Sequence, residues 1–510
     1  MQHVETRAGA YADSVTLMQV TAEAQAVAGV QAVMVAMGTG LNLDLLAGLG
    51  MAAPVTAGPN DLLVAIAADD AESLASALAV VDSALSARPA EQTGGEAAQP
   101  PRTTLSAARR TGPGLALISV PGQYAFAEAA DALEAGCDAM IFSDNVPVEQ
   151  EIWLKDLAAE RDLLVMGPDC GTAIVGGVGL GFSHSVPAGP VGLVAASGTG
   201  AQQVICLLDA AGAGISAVLG IGGRDLSAAV GGRSARAALA ALDADPATEL
   251  IMLLSKPPAD HVAAELRQYA AGLSTPVQFA LIGPGQPDLT AAAEAALRAV
   301  GKPVPAWPSW PPAVARRPDA WSAPRGVPGG RPPGHAVRGL FAGGTLCDEA
   351  MVIATSLLGP VYSNIPLQPE WRLDPRVPGS GHIMIDYGDD KLTAGRPHPM
   401  IDQRLRLDRL AAEAGDPNVG VILLDVVLGH GAHPDPASEL AAAISAALAG
   451  REGAIPGHDL AVVVSLIAAR SDPQGLTMQA TALAEAGAHV FASNAQAARF
   501  ACELAMGGTA

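Results

Sequence analysis

The chain has 510 residues, half of them hydrophobic but only 3% aromatic, and a formal net charge of −22. That length exceeds a single core and calls for roughly three or four domains, while a charge unrelieved by any Lys/Arg run excludes nucleic acid and anionic membrane surfaces as partners. Five widely spaced cysteines with no CxxC or Cys/His cluster argue against a disulfide framework or a metal site, and with no apolar signal core at the N-terminus the expected compartment is a reducing cytoplasm.

Taken in order, residues 1–85 read as a small α/β unit. A helix opens near Asp13, Val30–Met37 is a strand running into a Gly38-Thr39-Gly40 turn, and Asp61–Ala67 is a second strand before an Ala-, Leu- and Val-rich helix. Residues 86–113 lose periodicity, collect Pro, Gly, Thr and charge, and read as a linker. Residues 114–187 read as a Rossmann-like unit: strands Leu115–Val120, Ala139–Phe142 and Leu163–Met166 alternate with helices Tyr124–Ala135 and Val148–Glu160. The loops after these strands carry Gly122 and the run Gly167-Pro168-Asp169-Cys170-Gly171, at the strand ends where parallel sheets collect ligands.

Residues 188–300 read as a flavodoxin-like unit that opens on Val191–Cys206, an apolar run broken by Ser197-Gly198-Thr199-Gly200 and continued with helical spacing. Strand, tight turn and helix N-terminus aim free N–H groups and two hydroxyls at one spot, which suits a phosphate. The plainer alternative is a helix cap and a turn. Strands Ile215–Gly220, Glu249–Leu254 and Pro276–Ile282 complete the unit, with a second glycine turn, Gly222-Gly223-Arg224-Asp225, whose Arg224 and Asp225 are candidate site residues with a local ion pair as the alternative reading, and a candidate anion contact, Lys256. Residues 301–336 hold too much proline for a helix or central strand and read as a linker packed through Trp307, Trp310 and Trp321. Residues 337–510 repeat the rhythm as a second flavodoxin-like unit, with the turn Gly343-Gly344-Thr345 after Val337–Phe341, then strands Val419–Val427, Leu460–Leu466 and His489–Asn494. The fold class is therefore α/β, with several doubly wound parallel-sheet domains.

These motifs together resemble the succinyl-CoA synthetase superfamily. VPGQYAF (120–126), VMGPDCG (165–171), GLVAASGTG (192–200) and LGIGGRD (219–225) are similar to the coenzyme A loop, the GPNC loop, the phosphate turn and the GIGGD turn of the α subunit. FAGGTLCDEAM (341–351), IMIDYGDDKLT (383–393) and ILLDVVLGHGAHPDPA (422–437) are similar to segments of the β subunit's C-terminal domain. More closely, YADSVTLMQV (11–20), VAMGTGLN (35–42), SKPPA (255–259) and YGDDKLTAGRPHPMID (387–402) resemble the FdrA family, which includes the FdrA-type subunit of oxamate carbamoyltransferase.

The resemblance implies a phosphate pocket between two facing helix N-termini, one at Ser197–Gly200 and one near Gly343-Gly344-Thr345 or Gly429. It also implies a substrate or coenzyme A loop set of Gly122, Gly167, Pro168, Asp169, Cys170, Gly222, Gly223 and Arg224. From the strings shared with FdrA, Arg396 and His398 are the catalytic candidates, to clamp a carboxylate or polarise a carbonyl. The acidic turn Asp386, Asp389 and Asp390 is read as solvated and not as a metal site. Phosphate or carbamoyl phosphate is the implied substrate, coenzyme A a cofactor by resemblance only, and other carbamoyltransferase subunits the implied partners. Two departures bear on mechanism: 276–289 (PVQFALIGPGQPDL) has no histidine where NDP-forming acyl-CoA synthetases carry a phosphorylated one, and His430 matches that string only by coincidence. The expected activity is interconversion of oxalurate plus phosphate with oxamate plus carbamoyl phosphate in anaerobic ureide breakdown. The alternatives are an acyl-CoA synthetase and a metabolite-binding scaffold.

Overall fold

A computed structural model of the protein describes residues 1–507 apart from positions 9, 11, 13, 53, 55, 56, 59, 60, 87–100, 314–335, 378, 394, 395 and 452–459. The middle of the first linker, most of the proline-dense stretch with Trp321, Asp13 and Gly395 thus lie outside the described residues. None of the described helices is long and apolar enough to cross a membrane.

The N-terminal unit comprises β1 (Gln2–Arg7), α1 (Ser14–Gln25), β2 (Val30–Met37), α2 (Gly40–Gly48), β3 (Leu62–Ala68) and α3 (Ala71–Ser86). Its sheet is antiparallel, ordered β1-β3-β2, so this unit differs from the parallel units that follow. Strand β1 escapes the sequence pattern because its half-exposed residues show no apolar alternation. Leu17, Val20, Val33, Val64, Ile66 and Val81 close the core between this sheet and its helices.

Next come α4 (Thr104–Thr111), β4 (Leu115–Ile118), α5 (Gly122–Glu134), β5 (Asp138–Ile141), α6 (Val148–Glu160) and β6 (Val165–Met166), with a parallel sheet ordered β4-β5-β6. The third unit holds β7 (Thr172–Val175), β8 (Val178–Gly181), β9 (Ala188–Ala195), α7 (Gly198–Ala210), β10 (Ile215–Gly220), α8 (Arg233–Ala244), β11 (Leu250–Ser255), α9 (Asp260–Ala270), β12 (Val277–Leu281) and α10 (Leu289–Ala299). Its sheet runs β12-β11-β9-β10-β7-β8. The hairpin β7–β8 precedes residue 188 in sequence yet pairs antiparallel with β10, extending this sheet.

The last unit contains β13 (Ser309–Trp310), β14 (Ala336–Phe341), α11 (Gly344–Leu358), β15 (Val361–Tyr362), β16 (His382–Asp386), α12 (Asp390–Thr393), α13 (Arg404–Gly415), β17 (Val419–Val427), α14 (Pro436–Arg451), β18 (Ala461–Ile467), α15 (Leu476–Glu485), β19 (His489–Phe491) and α16 (Asn494–Ala505), in a sheet ordered β13-β19-β18-β17-β14-β16-β15. The proline-dense stretch contributes β13 as an antiparallel edge, the sheet position that tolerates neighbouring prolines. Leaving aside the short parallel edge strand β15 beside β16, the parallel strands of the two large sheets run second, first, third, fourth, as β10-β9-β11-β12 and as β16-β14-β17-β18, with β19 continuing the latter as a fifth. That is the flavodoxin-like order.

The two large units pack through their first and last helices, around a core that both share. Gln203, sixth in α7, accepts from Asn494 N (2.8 Å) and donates to Ala492 O (3.0 Å), closing the N-terminus of α16. Glu349, sixth in α11, accepts from Leu289 N (2.6 Å) and closes the N-terminus of α10. The units are thus related by an approximate two-fold, with one polar side chain from each first helix satisfying the orphan N–H groups of the other unit's last helix.

Candidate functional site

The two-fold brings the N-termini of α7 and α11 together. Ser197 is the N-cap of α7, accepting from Gly200 N at 3.0 Å, and its hydroxyl donates to Thr345 Oγ1 at 2.6 Å. On the other side of the contact Thr199 packs on Gly343, where a Cβ would fall 2.7 Å from the threonine side chain. Gly200 is equally constrained, since a Cβ there would lie 2.9 Å from the Thr345 methyl group. The N–H groups of Gly198 and Thr199 on α7, and of Gly344, Thr345 and Leu346 on α11, begin their helices without an intrahelical acceptor. Two positive helix ends therefore meet at one place.

The turn before α11 is held by a residue the sequence reading missed. Asp425, inside the otherwise apolar β17, accepts from Ala342 N (2.7 Å) and Gly343 N (2.9 Å), and Arg406 stands 3.2 Å from its carboxylate. The N–H of Gly343 is thus already committed. The remaining donors at this terminus begin at Gly344, so Gly343 acts by leaving room for Thr199. A lone Asp within a buried strand was the available signal.

The strand ends of the smaller parallel unit close the opposite wall. Cβ atoms at Gly122, Gly167 and Gly222 would collide with the carbonyl oxygens of Asp144, Ile141 and Pro168, so three loops stack backbone on backbone. Asp169 follows a cis Gly167-Pro168 bond and adopts a left-handed φ of 61°. Its side chain remains open to solvent, but crowding by protein atoms, with the charges of Asp390 and Asp144 nearby, pushes its carboxyl up to about 7 against the pull of Arg224 and Lys256. Residues solvated yet surrounded mark the floor of a cleft. Lys256 shares it, bound to Asp348 at 2.7 Å and 3.5 Å from where a Cβ on Gly344 would sit.

Asp386, at the end of β16, reaches the same terminus: its Oδ2 lies 2.6 Å from a Cβ built on Gly344, and its Oδ1 accepts from Gly388 N at 2.9 Å. Burial raises this carboxyl to about 7, opposed by Lys256. His398 stands beside it, its Nε2 2.9 Å and Asp386 Oδ1 3.1 Å from a Cβ on Gly388. Its Nδ1 accepts from Met400 N at 3.2 Å, which leaves Nε2 as the donor, and burial lowers its pKa to about 4. His398 is therefore a neutral hydrogen-bond donor at pH 7, suited to polarising a carbonyl and not to carrying a proton off.

Other expected residues stand apart from this arrangement. Arg396 is exposed, and its side chain makes no hydrogen bond or ion pair with any described residue. Arg224 donates to Val146 O (2.8 Å) and pairs with Glu151 (2.9 Å), while Asp225 bonds Lys155 (2.8 Å), so the expected local Arg224–Asp225 pair is replaced by a buried Glu151–Lys155–Asp225 network that pins α6 to the next unit. Gly223 is exposed beside Arg224. Cys170 is buried, its thiol pushed up to about 12 by desolvation, and so is no nucleophile. Asp389 accepts from Lys391 N at the start of α12. His430 lies elsewhere, with its Nε2 2.9 Å from Ser185 Oγ.

Coenzyme A, implied by resemblance, finds part of what it needs. Gly122 opens α5 with no side chain capping it, a terminus that fits a pyrophosphate. The span 114–187 carries only Lys155, buried in its network, and Arg161 as cations, which leaves a terminal phosphate without a partner from that span.

Comparisons with known proteins give family matches to two regions of the chain. Residues 1–101 match the family described as AllF, heavy metal-associated domain, and that region holds no cysteine. Residues 340–504 match the CoA-ligase family. The uncharacterized protein YahF of Escherichia coli (strain K12) is 37% identical over 97% of this chain and 96% of its own length. The succinate–CoA ligase [ADP-forming] subunit alpha of Aquifex aeolicus is 29% identical over 30% of this chain, which spans about half (51%) of that relative. Among solved structures, the dinucleotide-forming acetyl-coenzyme A synthetase 1 of Ca. Korarchaeum cryptofilum is similar at 16% identity, covering 77% of this chain and 83% of that one, with a TM-score of 0.27.

Proposed function

Since the chain belongs to the family of Escherichia coli YahF and carries a CoA-ligase region, we propose that it is an FdrA-type subunit of a carbamoyltransferase, working with other subunits to interconvert oxalurate plus phosphate with oxamate plus carbamoyl phosphate. The observation that carries this reading is the junction at Ser197 and Thr345: two helix N-termini meet, 2.6 Å apart through their hydroxyls, while 276–289, where NDP-forming acyl-CoA synthetases carry a phosphorylated histidine, holds none. A phosphoryl relay needs such a histidine. An acyl phosphate does not, because its own phosphate fills the positive site.

In this reading the N–H groups of Gly198, Thr199, Gly344, Thr345 and Leu346, with Lys256, hold phosphate. His398 Nε2–H polarises the carbamoyl carbonyl. Phosphate oxygen attacks that carbon, the carbon–nitrogen bond to the oxamate portion breaks, and the departing nitrogen takes a proton. A carboxyl near neutrality is matched to give it, and both Asp386 and Asp169 are raised to about 7. Positioning and electrostatics supply the remainder.

The second reading, an acid–thiol ligase acting through an acyl phosphate and coenzyme A, is favoured by the CoA-ligase match itself. One assay divides them. A purified complex containing this chain is given oxalurate and phosphate with carbamate kinase and ADP. ATP formation independent of coenzyme A supports the carbamoyltransferase, whereas no ATP here, together with coenzyme A-dependent acyl phosphate turnover, replaces it with the ligase.

A further inference from the structure

The smaller parallel unit stops at three strands, ordered β4-β5-β6, with β4 at the edge. Its two crossovers put α5 and α6 on one face, where Ile118, Ala139, Ile141 and Val165 meet Ala125, Ala129 and Leu154. The opposite face, through Met140 and Met166, clusters with Leu226, Ala235 and Leu239 of the next unit. A parallel sheet with both crossover helices on one face is one half of a doubly wound fold. In the complete fold the first strands of the two halves lie side by side, and helices cover both faces. Strand β4 holds the first-strand position, and no strand of the described residues lies on its outer side.

The backbone of β4 is divided accordingly. Gly114 O accepts from Asp138 N and Ile118 O from Phe142 N, both at 2.9 Å, so residues 114, 116 and 118 face β5 while 115 and 117 face outward. Neither the N–H nor the C=O of Leu115 or Leu117 meets a partner among the described residues. By strand alternation the Leu117 side chain lies on the same face as Leu115, which packs against the next unit, yet Leu117 itself is left 46% exposed. Bare backbone groups beside an uncovered leucine are what an edge strand ordinarily avoids, by charge, proline or a covering loop.

The charge next to this edge is of the opposite sign to the chain. Residues 101–113 hold three arginines, Arg102, Arg109 and Arg110, all exposed, and no Asp or Glu, in a chain of net charge −22. They include α4, which leads directly into β4 and whose Thr104 donates to Glu128 of α5. Beyond the C-terminal end of β4, Gly122 opens α5 with no side-chain cap. Doubly wound sheets bind ligands in the crevice between their two halves, so here that crevice has one wall only.

We propose that β4 is completed in trans: a separate, acidic polypeptide adds a parallel strand along Leu115–Ile118, lays its crossover helix over Leu117, and sets carboxylates against Arg102, Arg109 and Arg110. The crevice at Gly122 then has both walls. A second copy of this chain does not meet the requirement, because its own β4 would pair antiparallel across a two-fold and bring no crossover helix. The inference rests on the strand edge and holds whether the assembled enzyme transfers carbamoyl or acyl groups.

The test uses the full chain, tagged and purified from its own cells, with the bound polypeptide identified by mass spectrometry and amide hydrogen exchange read residue by residue across β4. In the assembly the amides of Leu115 and Leu117 should exchange about a hundredfold more slowly than in the chain produced alone in a foreign host, while Ala116 and Ile118, already paired to β5, change little. Leu117→Pro removes only an N–H that has no partner, and Leu117→Lys adds a charge to the edge. Both should leave the thermal midpoint of the isolated chain within about 2 °C of wild type and abolish the assembly. Arg102→Glu with Arg109→Glu should weaken it about tenfold or more. The proposal is overturned if the chain purifies alone or only as a dimer of itself, if Leu117→Pro and Leu117→Lys still assemble, if the arginine variant assembles as the wild type does, or if Leu117 exchanges equally in both states.

Discussion

Ser197 Oγ accepts a hydrogen bond from Gly200 N and donates one of 2.6 Å to Thr345 Oγ1, so one hydroxyl caps α7 and at the same time ties it to α11. Replacing it with alanine removes the cap, worth about 1 kcal/mol, and leaves the buried Thr345 hydroxyl without its donor. We expect Ser197→Ala with Thr199→Val to lower the thermal midpoint by several degrees and phosphate-dependent turnover by about a hundredfold, the size of effect of losing a preorganised anion donor. Turnover that survives at wild-type level removes phosphate from this turn.

The pH dependence of stability has a sign set by Asp386. Burial raises its native pKa to about 7, above the ordinary carboxylate value near 3.9 that applies when unfolded. The native state therefore holds the proton more tightly, and the contribution is full below about pH 4 and lost as pH rises through about 7. Asp386→Asn keeps the acceptor oxygen for Gly388 N and cannot ionise. Urea unfolding should show the variant more stable than wild type at pH 8 and not at pH 4.5. Equal differences at both pH values would mean the carboxyl is not raised.

Anion binding should follow the same protons. With Asp169 and Asp386 ionised the cleft repels an anion, and with them neutral the helix ends dominate. Sulfate, which does not titrate between pH 6 and 8, should bind more tightly at pH 6, and Asp169→Asn should reduce that pH dependence. Calorimetry at the two pH values decides it, and a flat profile counts against both carboxyls facing the anion.

Lys155 sits with its side chain 1% exposed between Glu151 and Asp225, each at 2.8 Å, and bonds Ile221 O at 3.1 Å. Lys155→Met leaves buried Asp225 without its cation while Glu151 keeps Arg224 at 2.9 Å, a loss of about 3–5 kcal/mol. The denaturant midpoint should fall accordingly. A shift below about 1 kcal/mol would show that the network is solvated.

The strand, turn and helix at 191–206 are legible because glycine, a capping serine and helical spacing all point the same way. The β7–β8 hairpin carries the hairpin signal Gly176-Gly177, but glycines inside β8 weaken its alternation and hide it within a loop. Lys155 reads as an ordinary surface lysine, because its partner Asp225 is 70 residues away. The role of His398 was half legible: its string marked it, but only packing against Phe182, with ring centroids 5.5 Å apart, and the bond from Met400 N settle it as a neutral donor. Asp169 became significant only when Asp144 and Asp390, from separate loops, were brought to it by the fold.

The approximate two-fold through Gln203 and Glu349 joins two units carried on one polypeptide. Their meeting is therefore intramolecular, governed by an effective concentration set by the connecting chain and not by how much protein is present. Two separate polypeptides contributing one helix N-terminus each would come apart on dilution. Here the junction of α7 and α11 survives any dilution that leaves the chain folded.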